Sequence, residues 1–145
     1  AESIKNYISM SPILREEKRI ILNKGIEAYF NGDYLVALHL LVPQIEDAIR
    51  ELAEINGQCV LQPKKGGDGY QLRLLDDLLR DSRIVELMTP NMANYFRILY
   101  TDSRGWNMRN DICHGIAMPK NLDRMAADRV LHSLLCLRLF RMQTM

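Results

Sequence analysis

The sequence contains only three cysteines, and their spacing is not that of metal ligands or disulfide partners. Cys59, Cys113 and Cys136 are an odd number, and none of them belongs to a Cys-x-x-Cys pair. This argues against the disulfide framework of a small secreted domain and against the paired thiolates of a structural zinc site. We therefore expect a cytoplasmic protein in a reducing compartment, without a metal or another cofactor.

Long hydrophobic runs are missing as well. The sequence has no uninterrupted apolar stretch of about 18 residues and no charged-then-apolar leader, so we expect no membrane span. Three glycines follow Lys64 and Lys65, but they lack the G-x4-G-K-[ST] spacing of a phosphate-binding P-loop. We interpret this segment as a flexible loop whose two lysines are available to a nucleic-acid backbone.

The net charge of +1 is distributed unevenly along the chain. From Arg97 to the end there are eight Lys and Arg residues against four Asp and Glu residues. Such a basic segment suits an anionic partner such as RNA or a nucleotide, although an ordinary solvated face has the same composition. Within this segment, Arg104, Lys120 and Arg124 are the candidate substrate-binding residues.

Apolar residues recur with helical spacing through most of the chain. After a polar lead-in over residues 1–11, the spacing predicts helices over about 12–31, 33–56, 71–80, from Thr89 onward, and over about 122–142. Ser11, Asp33 and Asn121 are the predicted N-caps of three of them, and Pro43 is expected to kink the second helix. Residues 84–88 are predicted to form only a short turn.

These elements predict the fold class. At 145 residues the chain is long enough for one domain with its own hydrophobic core. We expect an all-α bundle of about five to six helices over residues 1–145, with a short loop or hairpin insertion near 58–70. The last helix is apolar on more than one face, so it is either the central core helix or part of a dimer interface.

Residues 105–115, GWNMRNDICHG, are the segment with the clearest indication of a site. Asn107 is expected to cap a short helix that Gly115 ends. Residues four apart share a helix face, which places Asn110 beside His114, and Asp111 is close enough in sequence to orient the imidazole. Arg109 and His114 are five apart, roughly 140° around the axis. The arginine must therefore curl its side chain or act across a subunit interface.

This segment resembles a known family. The pattern R-x4-H formed by Arg109 and His114 is similar to the signature of the HEPN ("higher eukaryotes and prokaryotes nucleotide-binding") superfamily, helical domains of which many are metal-independent ribonucleases. The longer string RNxxxHG resembles the signature of a domain-of-unknown-function family. Residues 42–46, VPQIE, together with Arg50, are similar to the same family. In that family the motif lies near the end of longer chains, and with Ala1 as first residue we expect a C-terminal part of a longer protein.

The resemblance implies a reaction and a set of residues. His114 would take the proton from a ribose 2′-hydroxyl, Arg109 would stabilise the phosphoryl oxygens, and Asn110 would orient the histidine or the substrate. Two copies of the motif would meet across a symmetric homodimer and form one cleft. Asn107, Asp111 and Gly115 would support the site. A possible role of Glu46 and Arg50 is site support or subunit contact, but an ordinary surface ion pair is favoured for them.

A second interpretation is a non-catalytic module for dimerisation or for nucleotide or RNA binding. In it, Asn110 and His114 form a hydrogen-bonded pair that fixes a helix end, and Arg109 forms a salt bridge with Asp102 or Asp111. The other two histidines are expected to be structural. His39 is assigned to the surface or an interface, and His132 is expected to pair with Asp128 on its own helix.

Overall fold

The computed structural model describes residues 1–140. Within that range the chain forms eight α-helices and one antiparallel pair of short strands. The elements are α1 (Glu2–Ser9), α2 (Arg19–Phe30), α3 (Tyr34–Ile55), β1 (Leu61–Pro63), β2 (Tyr70–Leu72), α4 (Leu75–Arg80), α5 (Ser82–Met88), α6 (Pro90–Tyr100), α7 (Met108–Cys113) and α8 (Arg124–Leu137). The predicted all-α class and the hairpin insertion are confirmed, with more short helices than the five to six predicted.

Helices α2 and α3 form an antiparallel hairpin. The backbone N–H groups of Gly32 and Asp33 donate to carbonyls in the last turn of α2, which ends that helix as expected. Asp33 also caps α3, where its carboxylate accepts from the backbone N–H of Val36 at 3.2 Å. Helix α3 continues through Pro43 to Ile55 and supplies much of the buried core. It is therefore the element around which the others pack.

The prediction for the N-terminus is wrong. Residues 2–9 form a helix of their own, and α2 begins only at Arg19, after a turn and a short 3₁₀ segment over Glu16–Lys18. Pro12 accounts for the end of α1, because Ser11, the residue that precedes proline, is disfavoured in helical conformation. Ser11 is not an N-cap: its buried hydroxyl donates to the carbonyl of Leu137 at 3.2 Å, which joins the turn to α8.

The middle of the chain also differs from the prediction. Residues 70–72 pair with β1, with Leu61 opposite Leu72, so the predicted third helix begins only at Leu75. The predicted turn over 84–88 is part of helix α5, whose N-cap Asp81 accepts from the backbone N–H of Arg83 at 3.0 Å. The start of α6 is as predicted, with Thr89 as N-cap and proline at the first helical position.

Helix α8 lies in the core against α3. Its N-cap is Asp123, which accepts from the backbone N–H of Ala126 at 2.9 Å, and not the predicted Asn121. The helix ends at Leu137, earlier than predicted, and positions 141 and 142 lie outside the described residues. Of the two alternatives for this helix, a core helix or a dimer interface, the full burial of Val130, Leu134 and Leu137 shows that one face lies in the core.

A buried hydrogen bond between α6 and α8 gives a first testable prediction. The phenol of Tyr100, which is fully buried, donates to the Ser133 hydroxyl at 2.7 Å, and Ser133 donates to the carbonyl of Arg129. We expect Tyr100→Phe to lower the free energy of unfolding by about 1 kcal/mol, because one buried bond is lost while Ser133 keeps the other. Urea denaturation measures this. The matched control is Tyr70→Phe on the exposed hairpin, and an equal loss in both variants would contradict the prediction.

Candidate functional site

The loop before α7 depends on a close backbone approach at Gly105. The N–H of Trp106 donates to the carbonyl of Ile98 in α6 at 2.8 Å, which draws the loop onto the helix. A Cβ atom at position 105 would overlap that same carbonyl oxygen. Position 105 therefore requires glycine, because no side chain fits there. The hydrogen bond from Trp106 to Ile98 sets where α7 begins.

Asn107 occupies the N-cap position of α7 but does not cap it with its side chain. Its backbone is left-handed, with φ of 52°, a conformation that asparagine tolerates better than most residues. The side-chain oxygen accepts from Asn110 at 2.8 Å, and the amide donates to Asp111 at 3.2 Å. The predicted cap bond is thus replaced by a polar network on the surface of α7.

Helix α7 is anchored by two buried side chains and ended by Gly115. Met108 and Ile112, four residues apart, are both buried in the core. At the other end, Gly115 has φ of +69° and donates to Ile112, while the N–H of Ile116 donates to the carbonyl of Asp111 at 2.9 Å. This pair of bonds is a Schellman motif, which confirms the predicted role of Gly115 as a helix stop.

Arg109 forms a salt bridge with Glu46 of α3. Its Nε donates to Oε2 of Glu46 at 2.6 Å and its Nη2 donates to Oε1 at 3.3 Å. The carboxylate also accepts from Nη2 of Arg50 at 2.7 Å. The predicted partners of Arg109, Asp102 and Asp111, are therefore wrong, and so is the view of Glu46 and Arg50 as a surface pair.

The three charged side chains of this cluster are largely buried. The side chains of Glu46, Arg50 and Arg109 are 11%, 12% and 18% exposed. Burial raises the pKa of the Glu46 carboxyl, but the hydrogen bonds from Arg109 and Arg50 lower it more, so its pKa lies below the ordinary value. The hydrogen bond to Glu46 raises the pKa of Arg109 despite burial. The cluster therefore stays charged, with two cations around one anion.

Asn110 holds the guanidinium of Arg109 from the other side. Its side-chain oxygen accepts from Nη1 of Arg109 at 3.2 Å, and its amide donates to Asn107. The His114 backbone N–H donates to the Asn110 carbonyl at 3.0 Å. Within the part of the chain that the structure describes, however, no hydrogen bond joins the two side chains, contrary to the expected pair. The amide therefore orients the arginine, a role that the sequence did not indicate.

His114 lies at the C-terminal end of α7 with its imidazole exposed to solvent. Among residues 1–140 its side chain has no hydrogen-bond or ion-pair partner. The carboxylate of Asp111, expected to orient it, accepts from Asn107 instead. The motif thus has two parts: a half-buried, fixed arginine that faces α3, and a free imidazole at the helix end.

The three candidate substrate-binding residues have different surroundings. Arg104 is exposed but bound to Asp102, with Nη2 to Oδ2 at 2.8 Å, and these hydrogen bonds hold the pKa of Asp102 well below its ordinary value. Arg124 is exposed and lies 3.9 Å from the Asp128 carboxylate. Lys120 is exposed, and the structure records no ion pair for it within the described residues. Of the three, Lys120 lines a groove beside α7.

A groove of about 340 Å³ lies between α7 and the segment that leads into α8. We call it the α7 groove. It is lined by residues of the loop, the helix and the segment, namely Gly105, Trp106, Met108, Asp111, Ile112, Ala117, Lys120, Asn121, Leu122 and Asp123. The sequence pattern does not indicate this groove, because the groove depends on the hydrogen bonds that residues 116 and 117 donate to the Asp111 carbonyl.

The other titratable candidates are structural. His132 shares a hydrogen bond with the Tyr95 hydroxyl at 2.9 Å, and Asp128 accepts from Tyr29 at 2.6 Å, so the predicted pair between them is wrong. His39 is exposed on α3, as predicted, with its ring beside a backbone carbonyl. Burial raises the pKa of the Cys113 thiol, which disfavours the reactive thiolate.

Among residues 1–140 no cluster of three or more His, Cys, Asp or Glu side chains is arranged to hold a metal ion. In the same range no helix is both long and apolar enough to cross a membrane. Comparisons with protein-family models, with curated proteins and with solved structures found no match to this chain. The fold and the site define it as an all-α domain with an arginine and a histidine on one short helix.

Proposed function

We propose that the chain is a HEPN-like, metal-independent endoribonuclease that acts as a homodimer. One observation carries the proposal: His114 at the end of α7 has an exposed side chain with no hydrogen-bond or ion-pair partner among residues 1–140, and the same short helix carries a guanidinium that Glu46 and Asn110 hold in place. A structural histidine is normally hydrogen-bonded, as His132 is in this chain. His114 is instead free to exchange a proton with a ligand.

In the proposed reaction, neutral His114 accepts the proton of a ribose 2′-hydroxyl. The oxygen then attacks the adjacent phosphorus, the bond to the 5′-oxygen breaks, and that oxygen takes a proton from water or from the protonated histidine of the second copy. The products are a 2′,3′-cyclic phosphate and a free 5′-hydroxyl. A positioned general base of this kind accelerates proton transfer by about 100- to 10,000-fold.

Arg109 would stabilise the negative charge on the phosphoryl oxygens. A guanidinium has five N–H groups, and three of them are engaged by Glu46 and Asn110. The remaining two, on Nη1 and Nη2, have no acceptor among residues 1–140 and would donate to an anion, in a direction that the salt bridge fixes. Because Glu46 and Asn110 already hold the planar guanidinium in one orientation, little side-chain entropy is lost when a phosphate binds.

The proposed dimer follows from the arrangement of these two residues. In one copy Arg109 faces α3 while His114 points to solvent, so a single phosphate is not held between them by the same helix. A second copy with α7 opposite the first would place one arginine beside the other histidine. The proposal therefore includes a composite site at a two-fold axis.

A second candidate function is a non-catalytic module for dimerisation or for RNA or nucleotide binding. The observation that favours it is the neutralisation of Arg109 by Glu46, because a paired guanidinium attracts a phosphate less than a free one. In this case α7 would serve as a contact surface. The two candidates differ in whether RNA is cleaved.

The test is cleavage of an unstructured RNA by the purified chain in EDTA, with the products analysed for 2′,3′-cyclic phosphate ends. We expect His114→Ala to lower the cleavage rate by at least about 100-fold, because the general base is removed. Arg109→Lys keeps the positive charge but removes the planar guanidinium with its paired N–H donors, and is expected to lower the cleavage rate as well. The matched control is His39→Ala, which removes an exposed histidine outside the site.

Three outcomes would count against the ribonuclease. Cleavage that persists in His114→Ala would show that the motif is not responsible. A wild-type chain that dimerises but does not cleave would favour the second candidate. A monomer at assay concentrations, measured by analytical ultracentrifugation, would contradict both.

A further inference from the structure

The α7 groove has an apolar floor and an aromatic wall. Met108 and Ile112 are buried beneath it, and the indole of Trp106 is 38% exposed at its side. Its volume of about 340 Å³ lies at the low end of the range of about 300–1,000 Å³ for small-ligand pockets. The groove therefore suits one flat ring system stacked on the indole.

Its polar groups are mostly acceptors. Oδ1 of Asp111 accepts from Asn107 and Oδ1 of Asp123 caps α8, which leaves Oδ2 of each carboxylate without a donor among the described residues. Lys120 and Asn121, which line the same groove, also have no side-chain partner in residues 1–140. With two carboxylates and one ammonium, the lining repels a phosphate and favours a neutral ligand that carries N–H donors.

We propose that the α7 groove binds one nucleobase of single-stranded RNA, and that guanine is the preferred base. This rests on the proposed function, since it places a base-reading site on the same helix as His114. Unpaired bases are commonly recognised by stacking on an aromatic side chain, with hydrogen bonds to their edges. The backbone of such a strand would lie outside the groove, toward the end of α7.

The donors and acceptors of the groove match guanine best. Guanine has two adjacent donors, N1–H and the N2 amino group, which a carboxylate can accept together. Its O6 and N7 atoms accept from lysine, a common protein contact to this base. Adenine and cytosine offer only an amino group, and the single N–H of uracil lies between two carbonyls that a carboxylate repels. We therefore expect the order guanine first, uracil last.

The experiment uses the fact that Trp106 is the only tryptophan in the chain. Its fluorescence is titrated with GMP, AMP, CMP and UMP, which share ribose and phosphate and differ in the base. We expect GMP to quench the fluorescence and to bind at least about 5-fold more tightly than UMP, as one carboxylate pair to a base edge discriminates by about 5- to 150-fold. Isothermal titration calorimetry on Trp106→Ala should show a loss of GMP affinity of similar size.

Asp123→Asn tests the carboxylate without removing the helix cap, because asparagine caps as well as aspartate. We expect GMP affinity to fall about 5-fold or more while the thermal midpoint is unchanged. The matched control is Asp33→Asn, the N-cap of α3, which does not line the groove. Its GMP affinity should equal that of the wild type.

The proposal is overturned if the four nucleotides bind equally or not at all. It is also overturned if arginine amide quenches Trp106 and the nucleotides do not, since the groove would then take a cationic side chain of a protein partner. His114-dependent cleavage without nucleotide binding would overturn the groove and leave the ribonuclease standing. Selective GMP binding without RNA cleavage would support the groove and contradict the ribonuclease.

Discussion

Glu46→Gln is expected to destabilise the domain by about 3–5 kcal/mol, because it removes the anion that lies between two largely buried cations. Arg50 and Arg109 would face each other with a neutral amide that cannot accept two charged donors equally well. The repulsion acts between α3 and α7, the two helices that the carboxylate joins. Urea denaturation followed by circular dichroism measures the loss.

The matched control is Glu54→Gln on the same helix. Glu54 is more exposed and shares Arg15 with Asp47 and Glu51, so that Arg15 keeps two acidic partners. Exposed ion pairs contribute about 0–1 kcal/mol, and the control should change little. Equal effects of the two substitutions would contradict the assigned role of Glu46.

The role of Glu46 can also be tested through the pH dependence of the free energy of unfolding. The folded pKa of Glu46 is below its unfolded value of about 4.3, so its contribution is present above that pH. It is lost as the pH falls through the lower folded pKa. Wild type should therefore lose stability on acidification below about pH 4.3, and Glu46→Gln should show a smaller loss over the same range.

Gly105→Ala is expected to lower the free energy of unfolding by about 3 kcal/mol, at the upper end of what an inserted methyl group costs. The added Cβ would overlap the Ile98 carbonyl, a backbone atom that cannot rotate away. Either the Trp106 hydrogen bond to that carbonyl or the end of α6 must shift. Thermal and urea unfolding measure the loss.

The control for this substitution is Gly67→Ala in the hairpin loop. Gly67 has no atom within 4 Å of an added Cβ and no positive φ, so alanine fits there without strain. Its stability should be unchanged or slightly higher, because alanine restricts the unfolded chain. A Gly105→Ala variant as stable as this control would show that the loop adapts freely.

Elements that are specified by neighbouring residues could be predicted from the sequence. Asp33 before an apolar helical stripe, proline after Thr89, and Gly115 after a short helix all act within one turn, and each is found where predicted. The failures are also local in origin. Ile13 and Leu14 fit a helical period, but they lie buried in a turn. An apolar residue is buried in a helix and in a turn alike, so its position in the sequence does not tell the two structures apart.

The partner of Arg109 could not be predicted in the same way. Glu46 is 63 residues away in sequence, and nothing in either local pattern indicates that α3 and α7 touch. The N-cap of α8 is a different case, because Asp123 and Asn121 both carry a capping side chain and the local pattern does not distinguish them. Contacts between distant segments arise from the packing of the whole bundle, which periodicity does not specify.

The shared carboxylate on α3 has a consequence for protein engineering. Transplanting residues 105–115 into a different helical scaffold would carry the arginine and the histidine but leave behind the group that aligns the guanidinium. Such a chimaera would need an acidic side chain on the receiving surface, opposite position 109, before its motif resembled the original. The smallest portable unit is thus a pair of helices and not one.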